Sequence, residues 1–119
     1  MTITSMASDG KFAYTLNDGV IARRKLDIEG NVDTIAGPGG TIVQLSASNG
    51  FLFALQDDGD VYRRYSDRGA WTELTALPSD VSVISAGEKE LYIAYSAGAT
   101  VASLKMPGDG GYIDMAARS

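Results

Sequence analysis

The sequence predicts an all-β protein made of three consecutive copies of a four-stranded antiparallel meander. Residues 1–40 align with residues 41–80 at a period of forty, and residues 81–119 repeat the pattern at one residue less. Asx-Gly pairs, which supply the positive φ angles of tight hairpins, recur in the first two copies as Asp9-Gly10, Asp18-Gly19, Asn49-Gly50 and Asp58-Gly59. No window carries a sustained helical spacing of apolar residues, so helices are not expected.

Each copy contains four segments of strand length, and together the copies form one repeat domain over residues 1–119. The predicted first strands are Ile3–Ala7, Ile42–Ala47 and Val81–Ala86. The second strands are Lys11–Leu16, Phe51–Gln56 and the run Glu90–Tyr95, and the third strands include Val20–Leu26 and Asp60–Tyr65. The fourth strands are Val32–Ala36, Trp71–Ala76 and Tyr112–Ala117. The segments 37–40 and 77–80 contain Gly, Pro, Ser or Asp and are expected to link the copies.

Two closed architectures use repeats of this kind, the β-propeller and the β-trefoil. The second strands distinguish them, because Phe51–Leu55 and Glu90–Tyr95 are nearly continuous apolar runs. Such a run indicates a strand that is buried on both faces, as in a propeller blade that lies between two neighbouring blades. The sequence therefore favours propeller blades, with the trefoil as the alternative.

Composition excludes several classes of function. The chain has 119 residues, 45% of them hydrophobic, a net charge of −5, and neither cysteine nor histidine. A negative chain would be repelled by nucleic acid, and the missing residue types remove the Ser-His-Asp triad and the commonest metal ligands. No membrane span or signal peptide is visible. We expect a soluble protein, with the cytoplasm favoured, that has no cofactor, no metal site, no catalytic residue and no nucleic-acid or membrane partner.

The repeat also resembles a known family, the tectonin or tachylectin-type propeller. The similarity is carried by Leu45–Ala47, Leu52–Leu55, Asp58–Arg63 and Trp71–Leu74, and by the shorter copy Ile84–Gly87 with Leu91–Ala94. It implies a non-enzymatic propeller that binds ligands, often carbohydrate. The chain departs from the family in having three copies and in keeping the tryptophan only in the second, with Val32 and Tyr112 at the corresponding places.

Three blades do not close a ring. The first and last blades of an isolated half-ring would each expose an apolar face, which soluble monomers usually avoid. The simplest closed solution is a two-fold homodimer with six blades, in which the third blade of one copy meets the first blade of the other.

The predicted ligand site lies in the second copy, which is the best preserved. A shallow site between blades needs an aromatic platform and a few polar groups, and Tyr62, Arg64, Tyr65 and Trp71 provide both. The alternative for the tryptophan is packing between blades. The paired arginines 23–24 and 63–64 either bind an anionic group or remain solvated on an outer strand, and Ala102-Ser103 replaces them in the third copy.

Other chemistry is less well supported by the sequence. Asp57-Asp58-Gly59-Asp60 could bind calcium, but it lacks the ligand spacing of a calcium loop and is interpreted as a turn. Two function classes stay open beside the lectin-like module that binds carbohydrate or another small ligand. One is a structural or protein-interaction propeller without a small-molecule ligand. The other is a carboxylate-based glycoside hydrolase.

Overall fold

The computed structural model describes residues 3–26, 32–66, 69–75, 77–78, 80–95, 100–106 and 113–114. These residues form twelve β-strands: β1 Ile3–Ser8, β2 Phe12–Asn17, β3 Val20–Lys25, β4 Val32–Ile35, β5 Ile42–Ser48, β6 Phe51–Gln56, β7 Val61–Tyr65, β8 Thr72–Glu73, β9 Val83–Ala86, β10 Glu90–Tyr95, β11 Thr100–Lys105 and β12 Ile113–Asp114. Within the described ranges there is no helix, and hence none that is long and apolar enough to cross a membrane.

The strands form three separate four-stranded antiparallel sheets. Each sheet is a meander in chain order, β1–β4, β5–β8 and β9–β12. The predicted propeller-type meanders are therefore confirmed, and the trefoil alternative is wrong, because each of the twelve described strands pairs only within its own meander and the three sheets do not join into one barrel. The fourth strand of the second sheet is shorter than predicted, with pairing at Thr72–Glu73 among its described residues, and in the third sheet the described residues Ile113–Asp114 both pair with β11. Residues 115–117 of the last predicted strand lie outside the described residues.

The strand registers correct the forty-residue period. Ser8 pairs with Ala13 as Ala47 pairs with Leu52 and Ala86 with Leu91, so the first two strands repeat every 39 residues. The alignment of the sequence copies was shifted by one residue at this turn because glycine occupies different places in equivalent turns. Glycine is the first turn residue in Gly10-Lys11 and the second in Asn49-Gly50, and both glycines have positive φ.

The third strands repeat every 40 residues instead. Arg23 pairs with Tyr14, Arg63 with Phe53 and Ser103 with Tyr92. The extra residue enters in the preceding loop, which is the two-residue turn 18–19 in the first sheet and the segment 57–59 in the second. The third-copy counterparts of the arginine pair are therefore Ser103-Leu104, and the predicted Ala102-Ser103 was wrong by one position.

Two apolar cores lie between consecutive sheets. Strand β6 contributes to both, because Leu52 and Ala54 face the first sheet while Phe53 and Leu55 face the third. The prediction of a second strand buried on both faces is thus confirmed for the middle sheet. In the outer sheets, Tyr14 on β2 and Leu91 on β10 are buried against the middle sheet, whereas the alternate residues of those strands face away from it.

Candidate functional site

Three of the four predicted site residues, Tyr62, Arg64 and Tyr65, lie on β7 and are divided between its two faces, and Trp71 directly precedes β8. Tyr62 and Arg64 alternate onto the face that meets the first sheet, because their cross-strand partners Ala54 and Leu52 belong to that core. Tyr65 points to the other face, where its ring stacks on Phe51 with centroids 5.4 Å apart. The structure therefore brings Arg64 to the Trp71 ring, 5.8 Å from its centroid, but places Tyr65 in the neighbouring groove.

Trp71 connects the second sheet to the first. Its indole Nε1 donates a hydrogen bond to the carbonyl oxygen of Ala36 at 2.7 Å, and its ring packs against the core between the two sheets. Its position agrees with the packing interpretation of this tryptophan. Residues 67 and 68 of the preceding turn, and the third-copy counterpart Tyr112, lie outside the described residues.

The arginine pairs are also divided between faces. Arg23 faces the second sheet, where its Nη1 donates to the carbonyl oxygen of Ser66 at 2.7 Å and its Nη2 donates to Asp33 at 3.1 Å. Its guanidinium carbon lies 4.8 Å from the Phe12 centroid, and the equivalent Arg63 lies 5.7 Å from that of Phe51. These guanidinium groups stack on aromatic rings at the sheet interfaces.

Tyr14 shares the Ser66 acceptor and was missed by the sequence reasoning. It is completely buried, and its hydroxyl donates to the Ser66 carbonyl oxygen at 3.1 Å. Burial raises the pKa of the Tyr14 phenol to about 12, although the Ser66 side chain acts in the opposite direction. The pKa of Tyr62 is also raised, first by burial and then by the carboxylates of Glu73, Asp60 and Asp58.

Polar side chains on the first strands of the first and second sheets bind the backbone of the next sheet. Ser5 Oγ accepts from Leu45 N at 3.0 Å. Its counterpart Gln44 accepts from Ile84 N at 2.9 Å and donates to Ile84 O at 2.6 Å. Ser46 Oγ accepts from Ala86 N at 2.7 Å. A regular polar position within an apolar first strand was the available sequence signal for these contacts.

The two outer sheets each leave one face uncovered. We call the outer face of the first sheet the leading face; its exposed apolar residues are Met6, Val20 and Val32. The outer face of the third sheet is the trailing face, with Val83, Tyr92 and Val101. The registers place these side chains opposite to the buried ones, since Met6 pairs with Thr15 and Val83 with Ala94. Each face therefore presents several exposed apolar side chains.

The described acidic residues have mainly local roles. Asp9 accepts from the backbone nitrogens of Lys11 and Phe12, and Asp58 accepts from that of Asp60, so both stabilise turns. No group of three or more carboxylates in the described part of the chain is arranged to hold a metal ion. A cleft of about 450 Å³ lies between the turn that joins β2 to β3 and the start of the second sheet, lined by Thr4, Asp18, Gly19 and residues 40–43.

Comparison with known proteins identifies the architecture. No family model and no curated protein matches the chain. Among solved structures it is similar to PorZ of Porphyromonas gingivalis, with a TM-score of 0.71 and 15% identity, over 96% of this chain and 16% of that one. It is also similar to YCF48 from Cyanidioschyzon merolae (0.71, 12% identity, 95% of this chain and 36% of that one).

A third similar structure is the S. cerevisiae complex of Dbp5 with Nup159, Gle1, IP6 and ADP, with a TM-score of 0.69, 12% identity, and coverage of 95% of this chain and 29% of that one. PorZ, YCF48 and Nup159 are β-propeller proteins. The chain spans between 16% and 36% of these three matched structures. At such identities the likeness shows the fold alone. The chain has the fold of three consecutive β-propeller blades.

Proposed function

We propose that this protein is a non-enzymatic interaction module, in which the leading and trailing faces bind protein. The observation that carries the proposal is the position of the exposed apolar side chains. Met6 on the leading face is 68% exposed, and Tyr92 on the trailing face is 37% exposed, whereas Tyr14 and Leu91 on the inner faces of the same sheets are completely buried. Apolar patches of this kind mark interaction surfaces.

The similar structures support this proposal by analogy of fold. YCF48 has been solved with a D1 peptide, and the Dbp5 structure contains Nup159 and Gle1. A propeller blade is stabilised by a neighbour on each face, because its middle strand is too apolar to face water on either side. A protein that covers the end sheets would supply the missing neighbours.

Affinity purification with face-specific variants tests the proposal. The tagged chain is compared with Val83→Asp/Val101→Asp, which charges the trailing face, and with Lys11→Asp/Thr41→Asp as a control that changes exposed positions elsewhere. Each protein that copurifies, including untagged copies of the chain, is then purified and titrated. We expect the trailing-face variant to lose at least about tenfold in affinity, or about 1.4 kcal/mol, and the control to bind normally. Absence of any protein partner for the wild type would contradict the proposal.

A second copy of the chain is the partner that needs the fewest additional components. Two copies together supply six blades, which lies in the usual range for closed propellers. A two-fold arrangement closes the assembly without leaving unpaired faces. The two-fold homodimer predicted from the sequence is therefore our first proposal for the partner.

Carbohydrate binding, which the tectonin resemblance implies, is the second candidate. One observation favours it: the Tyr65 ring is 52% exposed and is held from behind by Phe51, so it could stack on a sugar. On a glycan array, a lectin-like protein would lose most of its signal in Tyr65→Ala, and also in Trp71→Ala if Arg64 and Trp71 belong to the same site. The absence of wild-type binding to both neutral and acidic glycans would contradict carbohydrate binding.

A further inference from the structure

We propose that the trailing face of one copy binds the leading face of a second copy in the same register that joins consecutive sheets within the chain. This inference rests on the proposed function and specifies the partner and its contacts. It makes the contact heterologous, so that two identical contacts related by a two-fold axis close a ring of six sheets.

The first argument comes from the tyrosine contact between the first and second sheets. Tyr14 donates to the carbonyl oxygen of Ser66, and Tyr92 is the counterpart of Tyr14 in the third sheet. The first-sheet counterpart of Ser66 is Leu26, because Leu26 N bonds to Lys11 O as Ser66 N bonds to Gly50 O. The repeat therefore places the Tyr92 hydroxyl of one copy at the Leu26 carbonyl oxygen of the other.

The second argument comes from the first-strand contacts. Ser46 on β5 accepts a hydrogen bond from the backbone nitrogen of Ala86 on β9. In the third sheet, Ser85 is the counterpart of Ser46. In the first sheet, Ser8 is the counterpart of Ala86. Ser85 Oγ of one copy is thus positioned to accept from Ser8 N of the other.

The third argument is apolar complementarity. Val101 on β11 is the counterpart of Val61, which is buried between the second and third sheets, yet Val101 is exposed on the trailing face. On the leading face, Ala13 and Thr15 occupy the positions of Leu52 and Ala54, which face the first sheet inside the chain. The trailing face and the leading face therefore resemble the two surfaces that pack together at each of the two sheet interfaces within the chain. A second copy covers both faces at once.

Engineered disulfides test the register directly, because the chain contains no cysteine. Under mild oxidation, Ser8→Cys/Ser85→Cys is expected to form a covalent dimer on a non-reducing gel. The single variants Ser8→Cys and Ser85→Cys should each run as a monomer on that gel when they are oxidised separately. When the two single variants are mixed before oxidation, they should form the covalent dimer. The matched control is Ser46→Cys/Ala86→Cys, which places the same pair inside one chain and should close without a change of mass.

Light scattering of the wild type supplies an independent readout, with an expected mass of twice 12.5 kDa. The inference is overturned if the control pair closes while Ser8→Cys/Ser85→Cys remains monomeric. It is equally overturned if Ser8→Cys alone dimerises, since the leading faces would then pair with each other. A monomeric wild type that binds another protein through the trailing face would refute the second copy but leave the proposed function intact. A monomer that binds no protein would refute both.

Discussion

Replacing Phe53 by alanine is expected to lower the free energy of unfolding by about 3–5 kcal/mol, the range for removing a large aromatic side chain from a packed core. Phe53 is 0% exposed and belongs to the core between the second and third sheets. Sheets on both sides hold this strand, so little collapse into the cavity is possible. Because that core joins two sheets, the loss should uncouple the third sheet from the rest of the chain.

Urea denaturation followed by circular dichroism measures this effect. The matched control is Tyr92→Ala, which removes an aromatic ring from the equivalent position of the third sheet, where the ring faces outward. At dilutions where the chain is monomeric, the control should lose less than half as much stability as Phe53→Ala. Equal losses would show that the trailing face is covered even in the monomer, which would contradict the exposed end sheet.

Raising the pH from 10 to 12 is expected to remove about 2 kcal/mol of stability through Tyr14 alone, since one pKa unit corresponds to about 1.4 kcal/mol and the loss begins below pH 10 and is completed above pH 12. The pKa of this phenol is 10.0 when exposed and about 12 in the folded chain, where burial disfavours the phenolate. Well below pH 10 both states are protonated and the contribution is complete. Between the two pKa values the unfolded chain loses its proton first, so unfolding becomes easier as the pH rises.

Tyr14→Phe isolates this contribution. The variant loses the hydrogen bond to the Ser66 carbonyl oxygen, which should cost about 1 kcal/mol at neutral pH. Above pH 10, the free energy of unfolding of the variant should fall less steeply with pH than that of the wild type, because the variant has no phenol at position 14 to ionise. Unfolding free energies measured at several pH values between 9 and about 12 would decide. Parallel curves for the two proteins would rule out Tyr14 as the source of the alkaline sensitivity.

The strand pattern was largely predictable because it depends on local chemistry. Asp18-Gly19 and Asn49-Gly50 adopt positive φ at both residues, as two-residue hairpin turns require, and the strands on either side lie where they were predicted. The unbroken apolar run 51–55 correctly indicated a strand buried on both faces. The one-residue error in the period arose where glycine changes its place within a turn of unchanged length.

The candidate site was less predictable because faces depend on register. Tyr62, Arg64 and Tyr65 are close in sequence, but alternation along β7 sends Tyr65 to a different groove from the other two. Trp71 could have been a sugar platform or a packing residue by composition alone, and its hydrogen bond to the Ala36 carbonyl oxygen joins it to the first sheet. The role of Tyr14 depends on Ser66, which is 52 residues away along the chain.

Local sequence thus determined the number of meanders, their antiparallel pairing and the burial of the middle strand, since turn conformation and apolar spacing act over a few residues. Only the tertiary structure decided which side chains meet between sheets, because such contacts join residues 35 to 52 positions apart, as Trp71 with Ala36 and Tyr14 with Ser66. It also decided that the apolar alternates of the first and third sheets remain uncovered. Alternation along a strand does not indicate which of its two faces packs against another sheet. That depends on how many sheets are stacked and on the position of the strand's sheet among them.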